Sequence, residues 1–403
     1  MPTPVLVIGG GIGGVATALA LGRQGRPVRL FEQAVQIGAI GYGVQMGPNV
    51  MPMLEKLGVA GAVRAAAYLP PELLLYDLAT GDKLADIPLR TAAFSERYAG
   101  RPYTAIHRVD LHELLLAACA SVPSIEMVPD TTVTGYQNTG TGAGISTAAG
   151  ERFEGAAVIA ADGLRSRLRA QMHPHDAPRD TGYVAYRTIV RTGDAPALLR
   201  RREGVTMWTG YGFHVIYYLL RDRTEINIVV VAKLPACAGA AGSQADSQSH
   251  SDHIAHLTRN AQPEPREAVA LVNLERRWSI ADRNPQRRWH DGNVVLTGDA
   301  AHATLQSFAQ GAGMALEDAV TLADLVEEHG DDYAEAFRRF NGRRFLRTAR
   351  LQLESRSLWE EFHCGGVEAE VRTQRFMQRR AIDHYRCLDW LWAPEQHQPE
   401  TTP

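Results

Sequence analysis

Gly9, Gly11 and Gly14 carry the spacing G-x-G-x-x-G. The three glycines do different things: Gly9 permits a tight turn, Gly11 lets the backbone approach a pyrophosphate, and Gly14 lets a helix pack closely on a sheet. Glu32 ends the next apolar run, where a carboxylate can accept ribose hydroxyls. Two later segments set acids beside glycines: Ala161-Asp162-Gly163, and Gly298-Asp299 followed by Gly311-Ala312-Gly313-Met314. An acid at the carboxyl end of a strand can hold ribityl hydroxyls. A small-residue turn that opens a helix can face the pyrimidine carbonyls of a flavin with free N–H groups. A nicotinamide cofactor would need only the first of these three segments, so together they point to a flavin dinucleotide. Elsewhere, His214 has the ordinary pKa of a base near neutral pH. It stands in Phe213-His214-Val215-Ile216-Tyr217-Tyr218, where alternation puts His214, Ile216 and Tyr218 on one face of a strand.

These residues need a frame. Residues 2–33 read as strand, glycine turn, helix and strand, and residues 1–60 as the opening βαβ unit, with a helix over 48–57 ended by Gly58. A hairpin is predicted over 71–90, turning at Thr80-Gly81-Asp82. A helix over 110–120 has Asp110 as its cap and Glu113 three residues on. Residues 182–233 change to short apolar runs with turn signals, the pattern of an antiparallel sheet. Residues 236–252 are small and polar, as in a mobile surface loop. A strand over 293–297 delivers Gly298-Asp299, and helices follow. The fold class expected is α/β: a Rossmann-like nucleotide-binding domain interrupted by a mostly antiparallel sheet domain, with a helical C-terminal tail. Its division is 1–70, 105–178 and 276–355 for the first, 71–104 and 179–275 for the second, and 356–403 for the tail.

The chain has 403 residues, enough for two domains, and 45% hydrophobic with 22% charged residues is ordinary for a soluble protein. A net charge of −3 gives no general reason to bind nucleic acid or a membrane. No basic leader precedes the first apolar run, and no stretch reaches the roughly 20 apolar residues of a spanning helix. Cys119, Cys237, Cys364 and Cys387 form no C-x-x-C pair, which argues against a metal site, a disulfide scaffold and a redox dithiol. They read as thiols, mostly buried, in a reducing cytoplasm. Arg338, Arg339, Arg343, Arg344, Arg347 and Arg350 could meet an anionic phospholipid, but a solvated helix with partners such as Glu354 is the preferred reading. The tail carries Trp359, Trp390 and Trp392, suited to covering apolar surface or pairing subunits, and a homodimer is expected.

In this order the three glycine segments resemble the fingerprint of the single-component flavoprotein aromatic hydroxylases, over nearly the whole chain. Within that family, His107 to His112, Tyr183 to Arg187 and the ending Asp389-Trp390-Leu391-Trp392 are most similar to the 3-hydroxybenzoate 6-hydroxylases. Salicylate and 6-hydroxynicotinate hydroxylases are near relatives. The resemblance implies bound FAD, NADH or NADPH as reductant, O₂ as co-substrate, and a small phenolic acid hydroxylated para to its hydroxyl. It implies a base at His214, substrate contacts at Tyr218 and Tyr103, and Gln306 at the phenol oxygen. It sets Arg108 against the FAD pyrophosphate or flavin, Gln45 on the ribityl side and Val133 in the cofactor set, with no metal. His302 orients the loop after the Gly-Asp motif. One departure stands out: the hydroxybenzoate enzymes usually carry an aromatic directly after the glutamine, and this chain has Gln306-Ser307-Phe308. A flavin disulfide reductase would need a cysteine pair shortly after the first helix, and the first cysteine here is Cys119. An amine oxidase or a plain NAD dehydrogenase would leave the two later motifs unexplained. A non-hydroxylating flavin-binding protein would bind FAD without substrate-stimulated NADH consumption.

Overall fold

A computed structural model describes residues 3–38, 41–234 and 244–393. The apolar runs Val5–Ile8, Ala157–Ala160 and Val294–Leu296 are buried along their whole length. Such runs suit a parallel sheet covered on both faces. They lie side by side in a six-stranded sheet, in the order His290–Asp291, Val294–Leu296, Ala157–Ala160, Val5–Ile8, Val28–Phe31, Ile125–Val128. All pairings are parallel except that of His290–Asp291 at the edge. The consequence is positional. Gly9, Ala161 and Thr297 each follow one of three adjacent parallel strands, so the three glycine segments emerge together at one sheet edge, where ligands bind in such folds.

The second sheet has seven strands, in the order Trp278–Asp282, Arg179–Arg191, Glu225–Lys233, Phe213–Leu220, Val205–Gly210, Glu72–Asp77, Lys83–Pro88. It is antiparallel apart from Val205–Gly210 beside Glu72–Asp77. Its first strand, Trp278–Asp282, lies beyond the boundary at 276 expected from sequence, because it completes the edge beside Tyr183–Ala185. A small ladder, Gly43–Met46 against Thr104–His107, sets Gln45 opposite Ala105. Among the described residues no helix is long and apolar enough to cross a membrane.

Several local expectations are corrected. The helix Arg108–Ala120 is capped by His107, whose Nδ1 accepts the Val109 N–H at 3.2 Å. Asp110 instead pairs with Arg221 at 2.7 Å. Within the expected loop at 236–252, residues 236–243 lie outside the described residues, and Gln244–Leu257 is a helix. It forms because Ile254 and Leu257 pack on the core of the large sheet. Cys119 is buried, but Cys364 is half-buried and Cys387 exposed, while Cys237 lies outside the described residues.

The arginine run is not one solvated face. Arg338 and Arg339 pair with Glu335, and Arg350 with Glu354, on the outside of the helix Tyr333–His363. Arg344 is buried between Glu317 and Asp318, and Arg347 reaches Glu317 and the carbonyls of Trp390 and Leu391. The helix Gly311–His329 crosses there and presents both acids.

Candidate active site

At the nucleotide end, a Cβ on Gly14 would lie 1.8 Å from the Gly9 carbonyl oxygen, so only glycine lets the helix start so close to the turn. Gly11, by contrast, faces open space. Glu32 braces the loop: Oε2 accepts the Gly10 N–H at 2.7 Å and Oε1 the Ala34 N–H at 2.8 Å. His112 Nε2 lies 2.6 Å from the Gly10 carbonyl. Asp162 turns from the cavity and accepts the N–H groups of Arg167 and Leu168, the start of the helix Arg167–Met172. Its neighbours Ala161 and Gly163 line the cavity instead. Val133 is packed in the core and does not line the cavity. Asp299 opens on the cavity, as do Arg108, Gly311 and Ala312. Gly313 and Met314 point inward, Gly313 against Gln310 and Val50, Met314 beneath Arg344.

The Gly298 turn is held from behind. Asp318 Oδ2 accepts the Gly298 N–H at 2.8 Å and lies 2.6 Å from His302 Nε2, while Oδ1 accepts from Arg344 Nε at 2.7 Å. Glu317 takes Arg344, Arg347 and Asn49. Burial pushes both carboxyls up. Arg347 and Arg344 beside Glu317, and His302 and Arg344 beside Asp318, overcome that and hold both at about 2. His302 therefore orients the loop through Asp318.

A cavity of about 720 Å³ runs from Gly11, Gly298 and Asp299 to His214, Tyr103, Tyr218 and Gln306. The Tyr103 hydroxyl donates to Gln45 Oε1 at 2.7 Å, and Gln45 also reaches the Tyr218 hydroxyl. Gln45, expected on the ribityl side, thus joins two tyrosines. Gly43 donates its N–H to Asn227 Oδ1 at 2.7 Å, and a Cβ there would lie 2.5 Å from the Tyr218 ring, so a larger residue would displace the tyrosine. Burial raises the pKa of both tyrosines, so they stay protonated donors at neutral pH.

Gln306 Oε1 accepts from Arg187 Nη2 at 3.2 Å, which fixes the amide and leaves Nε2 buried with no partner. Arg187 lies 5.9 Å from the rings of Tyr42 and Trp278, its Nε is buried and unbonded, and burial pushes its pKa down. A largely buried guanidinium with no carboxylate beside it among the described residues suits an anionic occupant. His214 Nδ1 lies 2.7 Å from His363 Nε2, and burial together with His363 pushes the His214 pKa well below its ordinary 6.5. Trp359 stands edge-on 5.5 Å away.

The residues present fit FAD. An open glycine loop, two helix starts (Ile12–Arg23 and Gly311–His329), the outward carboxylate of Asp299 and the exposed Arg108 all face one space. Arg187 and His363 escaped the sequence reading of site residues. Arg187 was visible only as the end of Tyr183 to Arg187. His363 lies 149 residues from its partner, on a helix with no local mark of function.

The FAD binding domain family matches residues 2–332. The 3-hydroxybenzoate 6-hydroxylase of Polaromonas naphthalenivorans (strain CJ2) is 37% identical over 393 residues, covering 97% of this chain and 96% of that protein. The 3-hydroxybenzoate 6-hydroxylase of Klebsiella oxytoca is 35% identical over 388 residues, covering 96% of each. Among solved structures, Klebsiella pneumoniae HpxO complexed with FAD and uric acid superposes with a TM-score of 0.82 at 24% identity, covering 98% of each chain. At that identity the likeness speaks for the fold alone.

Proposed function

The chain belongs to the FAD-dependent aromatic monooxygenases, and on that premise we propose that it hydroxylates 3-hydroxybenzoate para to the hydroxyl, yielding gentisate. Bound FAD would supply the redox chemistry, linking oxidation of NADH or NADPH to oxygen transfer from O₂. Asp299 would hold the ribityl hydroxyls, Glu32 the ribose, Arg108 the pyrophosphate or flavin, and the start of Gly311–His329 the flavin carbonyls. At the other end His214 Nε2 takes the phenol proton, which makes the ring electron-rich enough to be attacked. The negative phenolate favours a proton on the histidine beside it, against the burial and the His363 ring that push the His214 pKa down.

The observation that carries this reading is the amide of Gln306: with Oε1 held by Arg187, its Nε2 is a buried donor with no partner among the described residues, on a side chain that lines the cavity. Arg187, unpaired, would face the substrate carboxylate. Leu75, Met207, Ile216, Val229 and Phe308 are among the apolar residues of the lining. The test is NADH oxidation in air by the purified holoenzyme with 3-hydroxybenzoate, salicylate and 6-hydroxynicotinate in turn. Stimulation by 3-hydroxybenzoate well above background supports the assignment; stimulation by salicylate alone moves the enzyme to a neighbouring activity. If none stimulates, the substrate assignment fails. An NADH-consuming enzyme of this kind would work in the cytoplasm. We further infer a homodimer, supported by the exposed Leu346 and Leu353 on the helix Tyr333–His363 and Val367 and Val371 on Gly366–Met377. Sedimentation as a monomer would remove that inference.

A further inference from the structure

His214 does not stand alone, and its neighbour decides which nitrogen can act. His363 Nδ1 lies 2.7 Å from the Trp359 carbonyl oxygen, which can only accept, so Nδ1 of His363 carries a proton. In a neutral ring its Nε2 is then an acceptor. That nitrogen lies 2.7 Å from His214 Nδ1, so His214 must donate from Nδ1. The proton of His214 is thereby held on the far side of the ring. Nε2, which no other described group bonds, keeps its lone pair on a ring that lines the cavity.

We propose that His363 is a positioning residue for the base: it fixes the tautomer of His214 and accepts the proton that His214 passes on. The proposal rests on His214 being the base. In balance, the phenol O–H bond breaks and its proton forms a new bond to His214 Nε2. The His214 Nδ1–H bond breaks as that proton moves to His363 Nε2. The products are a phenolate, a neutral His214 donating from Nε2, and a His363 imidazolium whose two N–H groups meet His214 and Trp359. His363 is the last residue of the helix Tyr333–His363, where the carbonyl end of the helix favours a cation. The Lys233 ammonium opposes it, and the Tyr183 and Trp359 rings, 4.6 and 4.5 Å away, enclose it. Three segments thus build one line: the substrate sheet supplies His214, the helix end supplies His363, and the preceding turn of that helix supplies the carbonyl.

The test uses holoenzyme with ¹⁵N-labelled histidine, read by long-range ¹H–¹⁵N NMR, together with product formed per NADH. In the unaltered enzyme His214 should show a protonated Nδ1 and an unprotonated Nε2. In His363→Leu the proton should move to Nε2, and coupled turnover should fall about tenfold or more without a rise in KM. His363→Gln places an amide oxygen where Nε2 was: it should restore the tautomer but leave turnover low, because an amide accepts a hydrogen bond and cannot take up the proton. An unchanged tautomer in His363→Leu would overturn the proposal, as would a folded His363→Gln that fails to restore the tautomer or that turns over like the unaltered enzyme. Should the unaltered enzyme fail to hydroxylate a phenolic acid, the functional reading falls, while the NMR signature still decides whether His363 sets the tautomer.

Discussion

Gln306 illustrates how one hydrogen bond orients a side chain: Arg187 donates to Oε1, which fixes the amide so that the unbonded donor is Nε2. His214 is specified in the same way by His363. His214→Ala should keep FAD bound but lower hydroxylation about a hundredfold, with NADH diverted to peroxide. Equal product and NADH consumption in that variant would remove His214 from the role of base. Arg187→Met should raise KM for 3-hydroxybenzoate about tenfold or more, the worth of a charge-assisted bond, and affect phenols lacking the carboxylate far less. Equal effects on both would mean Arg187 meets something other than the acid group. At this scale the sequence was partly legible. His214, Tyr103, Tyr218 and Gln306 were reachable because strand alternation and motif order mark them. Arg187 and His363 were not, because Arg187 is marked by the carboxylate it lacks and His363 by a ring on a strand 149 residues away. That Gln45 joins Tyr103 and Tyr218 was not legible either, since the two tyrosines come from separate segments.

Among the elements, the order of three parallel strands does most of the positioning, because it alone brings Gly9, Gly163 and Gly298 to one edge. That much follows from apolar runs ending in glycine. The support behind the last turn does not, because it needs the crossing of Gly311–His329 and Tyr333–His363 to be known. Asp318→Ala removes one carboxylate from Arg344, His302 and the Gly298 N–H at once. Arg344 keeps Glu317, but a buried donor left without its acceptor costs about 1–3 kcal/mol. The variant should therefore melt well below the parent and release FAD more readily, as followed by flavin fluorescence. Unaltered melting and flavin retention would show that the turn holds itself. The strand Trp278–Asp282 and the helix Gln244–Leu257 defeated sequence reading for a shared reason: tertiary packing, on the sheet edge and on Ile254, outweighed weak local signals.

Across the whole molecule, acid should act in two stages. The neutral forms of His214 and His363 are favoured by burial, His363 down to about 4, so folding depresses both below the ordinary 6.5. Their contribution to stability is intact above 6.5 and is lost as pH falls from there through the folded pKa values, because the unfolded chain binds those protons first. Glu317 and Asp318, held at about 2, contribute above their ordinary 4.5 and 3.8 and are lost only as pH falls toward 2. Melting temperatures measured from pH 7 to 3 should decline already between 6.5 and 4. A flat profile across that window would contradict the buried neutral histidine pair. The two sheets, the helices of the tail and the acid–arginine network surround one cavity that reaches from the glycine loops to His214 and Gln306. The decisive measurement is the identity of the product made from 3-hydroxybenzoate by the holoenzyme with NADH under ¹⁸O₂. Gentisate carrying one ¹⁸O atom is the expected result. A dihydroxybenzoate hydroxylated ortho to the phenol, or NADH consumption that yields only peroxide, would contradict it.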